Sequence, residues 1–230
     1  MFTMKVIILP GWGQHSEHWK SVVDALAAHG INSEAIDLPG FGTEPADPDM
    51  VTLKDVSNWL EKKLSSYKKP LILCGHSFGG RVAADYAAAY PQACSKLILI
   101  GSPNLYRPGK SVRATKYVAK VFSIFKPLIP FSLRRKLRAK DYVDVEGTEL
   151  EVLYKNIITS DQADTLKNIK ATTLLLWGEN DIAAPIAIAN EMLNIIPNAS
   201  LEIIKQASHD IHIEKPVLSA ALIQKYVQTP

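Results

Sequence analysis

Cysteine is scarce: the 230 residues contain two, Cys74 and Cys94, and neither has a CxxC neighbour or the spacing of a metal-ligand set. That pattern argues for two buried free thiols in a reducing compartment. Long apolar runs are missing too, since nothing approaches the roughly 18 residues of a membrane span. The opening stretch MFTMKVIILPGWG has one early lysine and an apolar run broken at Pro10, without the length or cleavage pattern of a secretion signal, so a cytoplasmic protein is expected. Internal repeats and low-complexity tracts are absent. Acidic residues are absent from one long stretch: between Leu105 and Lys140 stand 11 of the 26 lysines and arginines, and no Asp or Glu. The remainder carries 15 basic against 23 acidic residues, so the net charge of +3 conceals a cationic segment on an acidic body.

What is present is the composition of a globular protein, 47% hydrophobic and 21% charged, long enough for one large α/β domain. Short runs rich in aliphatic and β-branched residues recur at KVIIL (5–9), NSEAIDL (32–38), LILC (71–74), KLILIG (96–101), TTLLLW (172–177) and SLEII (200–204). Nearly continuous apolar runs indicate strands buried on both faces, as in a parallel sheet. Helical patterns lie between them. Trp19, Val22, Val23 and Leu26 repeat at helical spacing before a stop at Gly30, and Thr52 with Asp55 forms a capping box ahead of Leu53, Val56, Leu60 and Leu64. Phe78 to Tyr90 reads as a helix ending at Pro91, Pro185 opens another, and Pro216 suits the first turn of the last. Six alternations predict a doubly wound, mainly parallel sheet of about six strands in a single domain over 1–230. One connection, residues 102–170, is too long for a plain crossover and carries its own helical face of Tyr117, Val118, Val121, Phe122 and Phe125. It is read as an inserted helical lid.

The stretch CGHSFGGRVAADYAA, residues 74–88, sets Ser77 between glycines where a strand gives way to a helix. This is the context that G-x-S-x-G requires to lift a serine oxygen clear of a sheet, although a serine at a helix N-cap has the same surroundings. A nucleophilic serine needs a base, and the base needs an orienting acid. WGENDIAAP places Asp181 in the loop after the fifth strand, and KQASHDIHIEKP places His209 after the sixth, both at carboxyl ends of strands. Alone, Asp181 reads equally as a turn residue and His209 as a solvated surface histidine. His212 is a rival base. His15 and His18, with His209 and His212, make two H-x-x-H pairs, but no acidic or cysteine partner at supporting spacing points to a metal. Asn104 stands where some hydrolases carry the acid, and Asp161 and Asp164 lie too early in the chain.

Across nearly its whole length the sequence resembles the α/β-hydrolase superfamily. GHSFGG is similar to its nucleophile elbow, WGENDIAAP to its acid loop W-G-x-x-D-x-x-x-P, and SHDIHIEKP to its histidine loop G-H-x-x-x-x-E-x-P. The resemblance implies Ser77, Asp181 and His209 as catalytic residues and, from LPGWGQHSEHW, the backbone N–H groups of Trp12 and Phe78 as an oxyanion hole. Pro10 replaces the family's usual histidine, Ser208 replaces the glycine before the base, and the family's first two strands are missing. A serine carboxylesterase acting through an acyl-enzyme is the implied activity, with thioesters open to the same chemistry; it calls for no metal or organic cofactor. A ligand-sensing or partner-binding protein that keeps the fold with little turnover is the alternative.

Substrate contacts are expected from Tyr117, Phe122 and Phe125 of the lid. Its basic residues admit several partners: a solvated surface, a carboxylate-bearing substrate, an acidic partner such as acyl carrier protein, or a membrane surface. The GWG stretch resembles pimeloyl-carrier methyl ester esterases of the same superfamily. No recognition motif accompanies the basic residues to favour nucleic acid.

Overall fold

In a computed structural model the described residues are 4–107 and 144–229. In chain order they form β1 (Val6–Leu9), a 3₁₀ turn (Ser16–Trp19), α1 (Lys20–Ala28), β2 (Ser33–Ala35), α2 (Leu53–Lys63), β3 (Leu71–His76), α3 (Phe78–Ala89) and β4 (Cys94–Ile100). After the long connection come α4 (Glu151–Thr159), α5 (Ala163–Lys167), β5 (Thr172–Gly178), α6 (Ile186–Ile195), β6 (Ala199–Ile204), α7 (Ile211–Glu214) and α8 (Pro216–Gln228).

The six strands make one sheet in the order β2-β1-β3-β4-β5-β6, and every pairing is parallel. Successive side chains of a strand point to opposite faces, and in the four inner strands β1, β3, β4 and β5 both faces are largely buried. Ile7, Leu9, Leu73, Leu97, Leu99, Leu175 and Trp177 share one core with the buried residues of α2, α3 and α6. Val6, Ile8, Ile72, Cys74, Ile98, Ile100 and Leu176 share the other with Trp19, Val22 and Leu26 beside α1 and with Ala220 and Ile223 of α8. Two-faced burial is why the strands read as continuous apolar runs. Both cysteines are free and buried, and burial raises both thiols, that of Cys94 to about 12.

Local signals act as their chemistry requires. Thr52 Oγ1 accepts from the Asp55 amide (3.2 Å) and Asp55 Oδ2 accepts from the Thr52 amide (2.8 Å), closing the capping box of α2. Pro216 occupies the first turn of α8. The second strand is shorter than its sequence predicts, covering 33–35 of the expected 32–38. Ile36 still donates to Ile8 O (2.9 Å), but Asp37 then turns its carboxylate to accept from the amides of Ser16 (2.6 Å) and Thr43 (2.8 Å), which draws the chain off the ladder.

Strands β4 and β5 are direct neighbours, with Lys96 opposite Thr172, so no described residue of the long connection enters the sheet between them. Its described parts pack on the sheet's first face, where Leu153, Ile157 and Leu166 are buried. Among the described residues no helix is long and apolar enough to cross a membrane.

The turn from β3 into α3 depends on close backbone approach. A Cβ at Gly79 would meet Leu9 O at 2.1 Å and Pro10 O at 2.4 Å, both main-chain atoms that cannot swing away. Gly79→Ala is therefore expected to lower unfolding free energy in urea by about 2 kcal/mol or more. Unchanged stability would show that the β1 and α3 backbones separate freely.

Candidate active site

A parallel sheet brings the carboxyl ends of all its strands to one edge, and loops leaving that edge define a crevice. Here a cavity of about 510 Å³ opens there, lined among others by Trp12, Ser77, Phe78, Arg81, Tyr154 and His209. That volume is in the range of small-molecule sites.

Ser77 bridges β3 and α3 with φ 50° and ψ −114°, a left-handed backbone that side chains other than glycine rarely adopt. Such a residue costs about 1–3 kcal/mol unless its surroundings fix it. Four hydrogen bonds do so. Its amide donates to Ile100 O (3.0 Å), while its carbonyl accepts from the amides of Gly80 (3.1 Å) and Arg81 (3.2 Å) and from Ser102 Oγ (2.9 Å). Phe78, next in the chain, is the first residue of α3, where helix amides lack intrahelical acceptors.

His209 follows β6 and lines the same cavity, with its side chain 22% exposed. Its Nδ1–H donates to Asp181 Oδ2 (2.8 Å), and the Asp181 side chain is fully buried. Asp181 Oδ1 accepts from the Ala184 amide (2.7 Å), and Trp177 Nε1 donates to Ala184 O (2.6 Å), tying the loop back onto β5. Trp12, after β1, packs its indole against Phe41, Phe78 and Tyr154 at ring separations of 5.0, 5.1 and 5.0 Å. Four of the five residues expected at the reaction centre thus line one cavity, and the fifth, Asp181, is bonded to His209. Tyr117, Phe122 and Phe125 lie outside the described residues.

His212 lies away from this cavity wall. Its ring stacks on Trp19 at 4.0 Å with an interplanar angle of 3°, and neither nitrogen has a partner among the described residues. Burial, helped by His18 and His209, pushes its pKa down to about 3. Asn104 is buried and donates to Gln162 Oε1 (3.0 Å), whereas Asp161 is paired with Arg107 and Asp164 with Lys167.

Several site residues escaped the sequence reading. His76 fills the second place of G-x-S-x-G, but its role depends on residues far along the chain: Nε2–H donates to His209 O (3.1 Å), and Nδ1 lies 3.2 Å from Gln14 Oε1. Gln14 in turn donates to Asp210 (2.8 Å). Burial, with the histidines 209 and 212 beside it, holds the His76 pKa well below its ordinary value, so the ring is neutral at neutral pH. Ser208 finds its partner in Glu214, which accepts from both its amide (3.0 Å) and its hydroxyl. His76, Asp210 and His212 bring potential metal-ligand atoms within 4.8 Å of one another. The closest printed pair, His76 Nε2 and Asp210 Oδ1, is 3.8 Å apart, and both ring nitrogens of His76 already face protein oxygens.

Sheet, helices and elbow define an α/β hydrolase. A family model described as "Serine aminopeptidase, S33" matches residues 3–216, and the chain belongs to that family. The human monoacylglycerol lipase ABHD6 is 26% identical over 251 residues, covering 95% of this chain and 73% of its own. A pimeloyl-(acyl-carrier protein) methyl ester esterase of Vibrio campbellii is 25% identical over 227 residues, covering 89% of this chain and 87% of its own. Among solved structures, an esterase from Exiguobacterium antarcticum shares the fold with a TM-score of 0.76 at 18% identity, over 98% of this chain and 92% of that one.

Two stability changes follow from this geometry. Ser77→Gly removes the side chain that makes φ 50° unfavourable, and a gain of about 1 kcal/mol in unfolding free energy is expected; a loss would mean the backbone is not strained. Unfolded His212 binds its proton near the ordinary pH 6.5 and the folded residue only near 3, so stability is full above about 6.5 and falls as pH drops towards 3. His212→Phe keeps the stack on Trp19 and removes the titration. Denaturation as a function of pH should show a shallower acid loss and a gain of about 1–2 kcal/mol at pH 7.

Proposed function

We propose that the protein is a serine hydrolase of carboxylic esters, in which Ser77 is the nucleophile, His209 the base and Asp181 the residue that orients it. The observation that carries this reading is the left-handed Ser77 in the same cavity as a His209 whose Nδ1 is held by a buried carboxylate. With the Nδ1 proton committed to Asp181, the Nε2 lone pair is free to take the Ser77 hydroxyl proton as Oγ attacks the ester carbonyl. The tetrahedral oxyanion is met by the backbone N–H groups of Trp12 and Phe78, the latter at the start of a helix, where the dipole favours negative charge. His209 then gives its proton to the departing alcohol and leaves an acyl-enzyme on Ser77. Water, deprotonated by His209, attacks that ester, and Ser77 recovers its proton as the acid leaves. Asp181 steadies the imidazolium in both halves of the cycle.

The described parts of the connection 102–170 cover this cavity, in what we take to be a single domain spanning 1–230; residues 108–143 of the expected lid lie outside the described residues. Support comes from Tyr154, Ile157 and Ile158, which belong to that connection and line the cavity beside Trp12 and Phe78. The neutral, mostly apolar wall they provide suits an acyl chain, in keeping with the lipase and methyl ester esterase named among the relatives.

Steady-state hydrolysis of p-nitrophenyl esters from acetate to palmitate tests the mechanism. Ser77→Ala is expected to lower kcat by about 10⁴ or more, and Asp181→Asn by about 10⁴ through the wrong histidine tautomer. Equal activity of wild type and Ser77→Ala would remove Ser77 as nucleophile. A wild type that binds esters without turning them over would favour a ligand-binding role.

A further inference from the structure

The cavity wall contains a charge that the ester mechanism does not use. Arg81 lies on α3 one turn beyond Ser77 and is 5% exposed. Its Nε donates to Gln162 Oε1 (3.3 Å), and its Nη2 donates to Ser160 O (2.7 Å) and Ser160 Oγ (2.5 Å). All three acceptors are neutral. Among the described residues no carboxylate lies within ion-pair distance of Arg81, and Nη1 has no partner. The adjacent Asp161 is taken by Arg107 Nη1 (2.6 Å) and by the amides of Tyr106 and Ala163.

Asp161 supports the Arg81 charge only from beyond contact distance, and a buried cation without a contacting counter-ion is costly, so natural sites place one where an anion completes it. Tethering Ser160 and Gln162 calls only for neutral donors, so the tether does not account for the charge. Burial lowers the Arg81 pKa to about 10, which leaves the guanidinium fully charged at neutral pH. Facing a cavity lined by Trp12, Phe78, Leu105 and Tyr154, that charge acts in a poorly screened setting.

We infer that Arg81 binds a carboxylate of the substrate through its free Nη1 edge while the ester lies at Ser77. This rests on the proposed esterase reading and adds the substrate class: esters that carry a second, ionised carboxyl group, as half-esters of short dicarboxylic acids do. Ser77 and Arg81 line the same cavity of about 510 Å³, so one small molecule held in it can meet both. The carboxylate belongs either to the acyl part or to the alcohol part, and the two give different substrates.

The test compares kcat/KM of monomethyl glutarate and monomethyl adipate with that of methyl butyrate and methyl hexanoate, and adds acetate esters of short ω-hydroxy acids to place the charge on the alcohol side. Wild type is expected to prefer one charged series by about 10- to 100-fold, the range of a charge-assisted hydrogen bond. Arg81→Met should lower kcat/KM for the charged series by about 10- to 100-fold more than for the neutral one, and Arg81→Lys should retain part of the preference. Equal kcat/KM for charged and neutral esters in the wild type overturns the inference, as does an equal loss on both in Arg81→Met. Should Arg81→Met fail to fold, the wild-type comparison decides alone. Calorimetric titration of glutarate into Ser77→Ala separates this inference from the esterase reading: binding that Arg81→Lys weakens supports Arg81 even if no ester is turned over, and no binding counts against it even if neutral esters are cleaved.

Discussion

The left-handed backbone at Ser77 is the constraint around which the rest of the molecule is arranged. It turns the chain from the central strand β3 into α3 within one residue, and such a turn persists only where neighbours leave no alternative. Those neighbours come from both flanking strands. Ile100 at the end of β4 takes the Ser77 amide and Ser102 just beyond it holds the carbonyl, while the backbone at the end of β1 lies so close that only glycine fits at 79. The order β1-β3-β4 in the sheet is thus also the arrangement that holds the elbow. Trp12 reaches the cavity because it follows β1 directly.

Around that edge, loops are fastened by carboxylates that accept backbone amides. Asp37 holds Ser16 and Thr43, Asp181 holds Ala184, and Glu214 holds Ser208. Charge-assisted bonds of this kind are stronger than neutral ones, which suits segments that have no ladder of their own. His76 performs a related task without charge, since its ring runs from the elbow strand to the main-chain carbonyl of His209. His209 is therefore held at its main chain by His76 and at its side chain by Asp181.

The strands were legible because burial on both faces leaves continuous apolar runs, and Thr52, Pro216 and the glycines around Ser77 act locally enough to be read in a few letters. The expected pairing of Asp181 with His209 came from the resemblance of their two loops to the family's acid and histidine loops. Arg81 was not legible, because a basic residue in an alanine-rich helix reads as solvated until Ser160 and Gln162, about 80 residues away, are brought against it. The same holds for His212, whose stack on Trp19 joins opposite ends of the chain, and for the early end of β2, which is set by where Asp37 finds its amides.

An all-parallel sheet has no hairpins, and each pairing joins segments far apart in the chain. His76 and His209 meet across 133 positions, and β6 pairs only with β5 at the edge of the sheet. During synthesis the segment bearing Ser77 leaves the ribosome long before the one bearing His209. A nascent chain therefore carries the proposed nucleophile without its base, and the hydroxyl remains as inert as that of any other serine. On the proposed mechanism, reactivity arrives only after the last strand, so that chemical competence would report late folding.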